Sequence, residues 1–131
     1  MYPNRSVTDV VNFLFLQKFN SKGGKTMVIS KEAKSLGMSW EKEYGYSQAV
    51  KVDNTIYISG QVSHDHKGNV VGPGNMEVQM SQAYENIEKV LAQYGATIDN
   101  IVDEVLFVTD MDAAFAPRVK CRQDVFSGNL C

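Results

Sequence analysis

Cysteine, histidine and proline are all scarce in this 131-residue chain, at two, two and three residues. Two cysteines, Cys121 and Cys131, do not make a disulfide framework. With no export signal read at the N-terminus, a reducing cytoplasmic compartment is expected. The two histidines, His64 and His66, sit together in "HDH", so no Ser-His-Asp arrangement can be assembled from separated parts. As metal ligands they lack a third His or a Cys nearby, and a solvated loop is the expectation, with no metal. No run of basic residues appears and the net charge is -2, which argues against a nucleic-acid partner, whose affinity comes mostly from phosphate neutralisation. Nor is there an apolar run near the roughly 20 residues that a membrane helix needs. The nearest, "VVNFLFLQKF" from Val10 to Phe19, is broken by Asn12, Gln17 and Lys18 and lacks the basic start and cleavage site of a secretory signal. It reads as an extension packed on the domain.

What remains is an ordinary soluble domain, 44% apolar and 21% charged. "SKGGK" (21–25) separates an N-terminal extension, residues 1–25, from a domain covering residues 26–131. "TMVIS" predicts a short strand and "KEAKSLGMSW" an irregular connection. Asp53-Asn54 between two β-favouring runs predicts a two-residue hairpin. Counting outward pairs Val52 with Thr55, Val50 with Tyr57, Gln48 with Ser59 and Tyr46 with Gln61. Paired residues share a face, so Tyr46, Gln48, Ser59 and Gln61 converge while Ala49, Ile56 and Ile58 take the other side.

After a turn-rich loop, Met80, Ala83, Ile87, Val90, Leu91 and Tyr94 recur at helical spacing, with Asn75 as N-cap and Gly95 as stop. "IVDEVLFVTDM" (101–111) predicts a strand central in a sheet, and Asp112 the cap of a second helix ending near Phe126. The plan is α+β, with two helices on one sheet face. The other face is too apolar for water, so self-association through it is expected.

Single motifs carry little. Cys121 is expected as a packed helix thiol rather than a nucleophile. "GPGN" lacks phosphate-loop spacing and reads as a loop-to-helix junction. The 15 acids identify no acid–base pair. The polar mouth of the hairpin stands out, although cross-strand hydrogen bonding at a sheet edge would explain it as well as a ligand site.

"YGYSQAVKVDNTIYISGQV", then a helix with "NIEKVL" and "YGAT", then "IVDEVLFVTDMD", resembles the YjgF/Rid family, described in older usage as L-PSP endoribonuclease or translation inhibitor. The resemblance runs from about Trp40 to Gly128. It implies a chorismate-mutase-like α+β fold and a homotrimer with small-molecule pockets in the clefts between subunits. It also implies hydrolysis of reactive enamines and imines, such as 2-aminoacrylate, to a 2-keto acid and ammonia without a cofactor. Tyr46 matches the pocket tyrosine, and Ser59 and Gly60, with Gln61, match the pocket strand; these four are the candidate ligand-binding residues, and no catalytic residue is assigned.

Departures are clear. The family continues past the second helix into two strands carrying a carboxylate-clamping Arg and a Glu that assists the water, and this chain ends at Cys131 before both. Val119-x-x-Arg122 stands where many deaminases have Asn-x-x-Tyr. Arg118 and Arg122 are the late arginines, expected on a solvated helix face. A non-catalytic trimeric metabolite binder is therefore the alternative function, and a ribonuclease the least physical.

Overall fold

The computed structural model describes residues 29–126; the whole N-terminal extension (1–25), most of the strand expected over "TMVIS" and Cys131 lie outside them. In chain order come β1 (Glu32–Lys34), α1 (Ser39–Tyr44), β2 (Ala49–Val52), β3 (Thr55–Ile58), α2 (Met76–Ala92), a 3-10 turn (Ile98–Asn100) and α3 (Met111–Val125). The architecture is α+β, an antiparallel sheet ordered β1-β2-β3 with α2 and α3 packed together.

The hairpin forms in the register that its turn dictates, with Val52 opposite Thr55 and Val50 opposite Tyr57. Asp53 takes the left-handed conformation (φ 51°), which Asp tolerates better than most side chains. Ala49 is fully buried, and Ile56 and Ile58 pack against the core cluster of Met80, Tyr84, Leu91, Ile98, Ala114, Cys121 and Phe126.

The strand expected over "TMVIS" lies mostly outside the described residues; Ile29 and Ser30 are in no strand, and Glu32, Ala33 and Lys34 pair with Lys51, Val50 and Ala49. The supposed irregular connection thus supplies both β1 and the start of α1.

Helix α2 follows its apolar spacing. Asn75 Oδ1 accepts from Val78 N–H at 3.1 Å, capping the first turn. Met80, Ala83, Val90 and Leu91 are buried, and the Tyr94 hydroxyl beyond the helix donates to the carbonyls of Glu32 (2.8 Å) and Ala49 (3.1 Å). The cap of α3 is Asp110, whose Oδ1 accepts from Ala113 N–H at 2.9 Å; Asp112 lies in the first turn, where its charge favours the helix dipole.

The expected central strand needs the largest correction. Residues 101–110 alternate, with Glu104, Leu106 and Val108 half-buried and Val105 and Phe107 exposed, yet the segment has no ladder partner among the described residues. Its sequence carries the period of a strand, but among the described residues β3 pairs only with β2 and no neighbour completes the segment. No helix among the described residues is long and apolar enough to cross a membrane.

Asn75→Ala removes one satisfied N–H at the start of the longest helix and should destabilise the domain by about 1 kcal/mol, read as a lower urea midpoint at unchanged slope.

Candidate functional site

The mouth of the hairpin is built around one buried amide. Gln48 is 1% exposed, and its Nε2 donates to Glu41 Oε1 at 2.9 Å while its Oε1 accepts from Gln61 Nε2 at 2.7 Å. Gln61 Nε2 also donates to the Ser59 carbonyl at 3.0 Å. The Ser59 hydroxyl donates to the Ser47 carbonyl at 2.7 Å, and Ser59 N–H to the Gln48 carbonyl at 2.8 Å, which continues the hairpin pairing past the formal strands. The register read from the turn therefore does bring Gln48, Ser59 and Gln61 together.

Glu41, which sequence reasoning missed, anchors this network from α1. It is 7% exposed, accepting from the Ser35 hydroxyl, from Leu36 N–H at 2.9 Å and from Gln48. Burial pushes its carboxyl up, but the hydrogen bonds from Ser35, Gln48 and the Leu36 and Met38 backbone together outweigh it and hold the carboxyl below its ordinary value. A short helix carrying one acid on its inward side was the only signal that could have found it, and α1 is too brief to show a period.

Tyr46 follows Gly45, whose left-handed backbone (φ 67°) ends α1. It is 38% exposed, the most open of the four candidate residues. Partial burial raises its phenol above the ordinary value, against hydrogen bonding from Trp40 and Gln48. Gly60 is half-buried, and its N–H has no hydrogen-bond partner among the described residues. The mouth thus offers a phenol and a backbone donor, over amides whose own hydrogen bonds turn inward.

The loop beyond closes over this region. His64 is buried rather than solvated: its ring meets Trp40 edge-on at 5.1 Å, and its Nδ1 lies 3.0 Å from the Asp65 carbonyl. Gly68 (φ 85°) comes so close that a Cβ there would collide with the Trp40 ring. Asp65 is held down to about 2 by hydrogen bonds from Asn69 and Lys67 N–H, which shape the turn. Among the described residues, no three His, Cys, Asp or Glu side chains gather to hold a metal. Cys121 is a packed thiol, 2% exposed, with Sγ 3.4 Å from Ser81 Oγ.

A second polar cluster was not foreseen. Glu104 accepts from the Tyr84 hydroxyl at 2.6 Å and from Arg122 Nη1 at 2.7 Å, with the Glu and Arg side chains only 13% and 15% exposed. Arg122 is therefore not on a solvated face. Burial, then the neighbouring Glu104, pushes the Tyr84 phenol well above its ordinary value. The parity of Glu104 with Leu106 and Val108 was the available signal: a charge on the inward side of an alternating segment needs a partner. Arg118 is exposed, at the rim of an apolar cavity of about 160 Å³ lined by Leu106, Val108, Met111, Ala114 and Phe115. A narrow groove links the two polar clusters, with Gln61 and Glu104 both on its wall.

Two outcomes follow. Because Glu41 has a depressed folded pKa, its stabilisation is fully present above the unfolded value, about 4.3, and is lost as pH falls through the folded one. Glu41→Gln should therefore flatten the acid limb of a stability–pH curve; an unchanged limb would contradict the assignment. Arg122→Met strands the Glu104 carboxylate and should cost about 3 kcal/mol in denaturant unfolding.

The family described as Endoribonuclease L-PSP matches residues 39–129, which include the whole hairpin mouth. The 2-iminobutanoate/2-iminopropanoate deaminase of Mus musculus is 40% identical over 85 residues, covering 65% of this chain and 62% of the mouse protein. A RutC family protein of Sulfurisphaera tokodaii is 36% identical over 67 residues, 51% of this chain and 54% of that protein. The chain thus spans between about half and two-thirds of the length of these relatives. A solved structure described as protein YJGH superposes with a TM-score of 0.62 at 25% identity, covering 78% of this chain and 75% of that one. Fold, family profile and relatives converge, and the chain belongs to the YjgF/Rid family.

Proposed function

We infer that the protein hydrolyses small imino acids of the 2-aminoacrylate and 2-iminobutanoate type to 2-keto acids and ammonia. The observation that carries this reading is that the family match includes Tyr46, Ser59, Gly60 and Gln61, the residues of the polar mouth. Relatives bearing deaminase names support it.

The chemistry asks little of the protein. The imine carbon is already electrophilic. Water adds to it, the proton moves to nitrogen, and the carbinolamine expels ammonia as the C=O bond forms. The site has to orient the substrate and one water, with proximity supplying most of the acceleration. Tyr46 acts as a hydrogen-bond donor to the substrate carboxylate or to the water, and the Gly60 N–H gives a second, fixed donor. The inward-facing network of Gln48, Ser59 and Gln61 holds both in place. The working assembly is a homotrimer in which a neighbouring subunit closes each mouth into a cleft, leaving the exposed apolar side chains of Tyr57, Val105 and Phe107 covered.

A second reading, a metabolite binder without turnover, is favoured by one observation. Ser59, Gln48 and the Gln61 amide nitrogen spend their hydrogen bonds within the protein, and the carboxylate of that network, Glu41, is buried and turned inward, so no free carboxylate faces the mouth among the described residues. A ribonuclease activity has the weakest support, given the net charge of -2.

Ammonia release from freshly generated 2-aminoacrylate separates these. A deaminase exceeds the spontaneous rate, and Tyr46→Phe lowers kcat/KM about tenfold, the worth of one hydrogen bond in the transition state. Keto-acid binding with no rate above background assigns the binder instead. A monomeric mass by light scattering at micromolar concentration would remove the trimer.

A further inference from the structure

Tyr46 is the open group of the mouth, and the side chains behind it decide what its hydroxyl can do. The chain leaves α1 through the left-handed Gly45, and Tyr46 N–H then donates to the Glu41 carbonyl at 3.0 Å. Residue 46 is thereby turned back toward the helix that it has just left. That return sets the phenol against Trp40, the second residue of α1, and against Gln48, two residues on. Both side chains hydrogen-bond to it.

The two contacts have one polarity. The only polar group on an indole is its N–H, so Trp40 donates and never accepts. Gln48 Oε1 already accepts from Gln61, and one Nε2 hydrogen goes to Glu41, which leaves the second amide hydrogen for Tyr46. A phenol oxygen has one proton to give and room to accept from two donors. With the accepting side met from within the protein, the proton is left for the open mouth. Burial keeps the phenol above its ordinary value, so that proton is present throughout the neutral range.

Trp40 itself has little freedom. His64, buried in the loop beyond β3, meets the indole edge-on at 5.1 Å. Gly68 packs on the benzo end of the ring, against Cζ3 and Cη2, so closely that no side chain fits between them. The same loop is tied to α2, where Asn86 Nδ2 donates to the carbonyls of Val62 and His64 at 3.0 and 3.1 Å. The ring is thus backed at the end away from its nitrogen, and the core rather than a ligand fixes where the N–H lies.

We propose that Trp40 is a positioning residue of the mouth: it holds the Tyr46 phenol from behind and commits the phenol proton to a carboxylate oxygen of a bound 2-imino or 2-keto acid. A carboxylate is the partner that gains most from such a donor, since a hydrogen bond to an ionised acceptor is about twice as strong as one between neutral groups. A phenol without these two donors behind it accepts as readily as it donates, and discriminates less. This role rests on the mouth's taking small 2-imino acids, but not on turnover, because the keto acid product carries the same carboxylate.

Binding of 2-oxobutanoate to the full chain, followed by calorimetry, separates this role from plain packing. Trp40→Phe keeps an aromatic ring beside His64 and Gly68 and removes the N–H. It should weaken binding about fivefold, and Tyr46→Phe about tenfold, the worth of one hydrogen bond in each case. In the Tyr46→Phe background, Trp40→Phe should cost less than about twofold more, because its target hydroxyl is already gone. An equal loss in both backgrounds marks a packing role and overturns the proposal, as does no loss in either. Should Trp40→Phe fail to fold, the indole decides, since it is the chain's single tryptophan and gives one N–H resonance. Its hydrogen exchange should be at least about tenfold faster in Tyr46→Phe than in the wild type, and an unchanged rate overturns the proposal. Failure of the wild type to bind 2-oxobutanoate overturns it too, whereas the deaminase reading stands or falls separately on ammonia release.

Discussion

The hydrogen bonds on either side of the Gln48 amide hold the site end of this domain together. An amide with almost no contact with water has to satisfy both its ends or cost the fold one to three kcal/mol for each group left bare (about that for typical buried polar groups). Here the nitrogen meets a carboxylate and the oxygen meets a second amide, so three elements are fixed by one side chain: α1 through Glu41, β2 through Gln48 itself, and the exit of β3 through Gln61. The geometry of the mouth, and so the place of Tyr46, is inherited from that relay. Charge at one end of it strengthens every bond along it, because the surroundings are of low polarity.

Helix α2 serves both polar clusters. Its inward stripe gives the apolar floor, and Tyr84 in the same helix reaches Glu104, which is in turn held by Arg122 of α3. Two helices and the extended segment are thus tied by one carboxylate, in a place where the segment lacks the ladder that would otherwise position it. A salt bridge of this kind is modest as a source of stability but demanding in geometry, and it sets how α3 lies against the segment.

Where the sequence was legible, the reason was local. Asp53-Asn54 fixes a hairpin register by turn geometry alone, and the pairs outward follow as far as Gln48 with Ser59; Tyr46 instead bonds back to the Glu41 carbonyl at the end of α1. Asn75 and the spacing of Met80, Ala83, Val90 and Leu91 fix α2 in the same way. What escaped depends on partners far along the chain. β1 forms at Glu32–Lys34, in a stretch read as an irregular connection, because β2 is there to receive it. The segment 101–110 has a strand's alternation, but a strand exists only with a neighbour, and periodicity is silent about neighbours. The sequence puts the cap of α3 at Asp112; where the chain turns selects Asp110. Of the site, Gln48, Ser59 and Gln61 were placed together by counting, whereas Glu41 and the Glu104–Arg122 pair arise from tertiary approach. The family resemblance named Tyr46, Ser59, Gly60 and Gln61 as a site, a role that physical reading of the hairpin alone placed behind plain cross-strand bonding.

The edge-on contact between Trp40 and His64 gives the molecule an optical handle. Trp40 is the protein's one tryptophan, and it sits beside the network that supports the mouth, wedged by the loop at Gly68. Undocking of the loop exposes the indole to water and shifts its emission to the red. Fluorescence of the unmodified chain therefore reports from a single known position. Its colour reads whether the loop is docked, without a label.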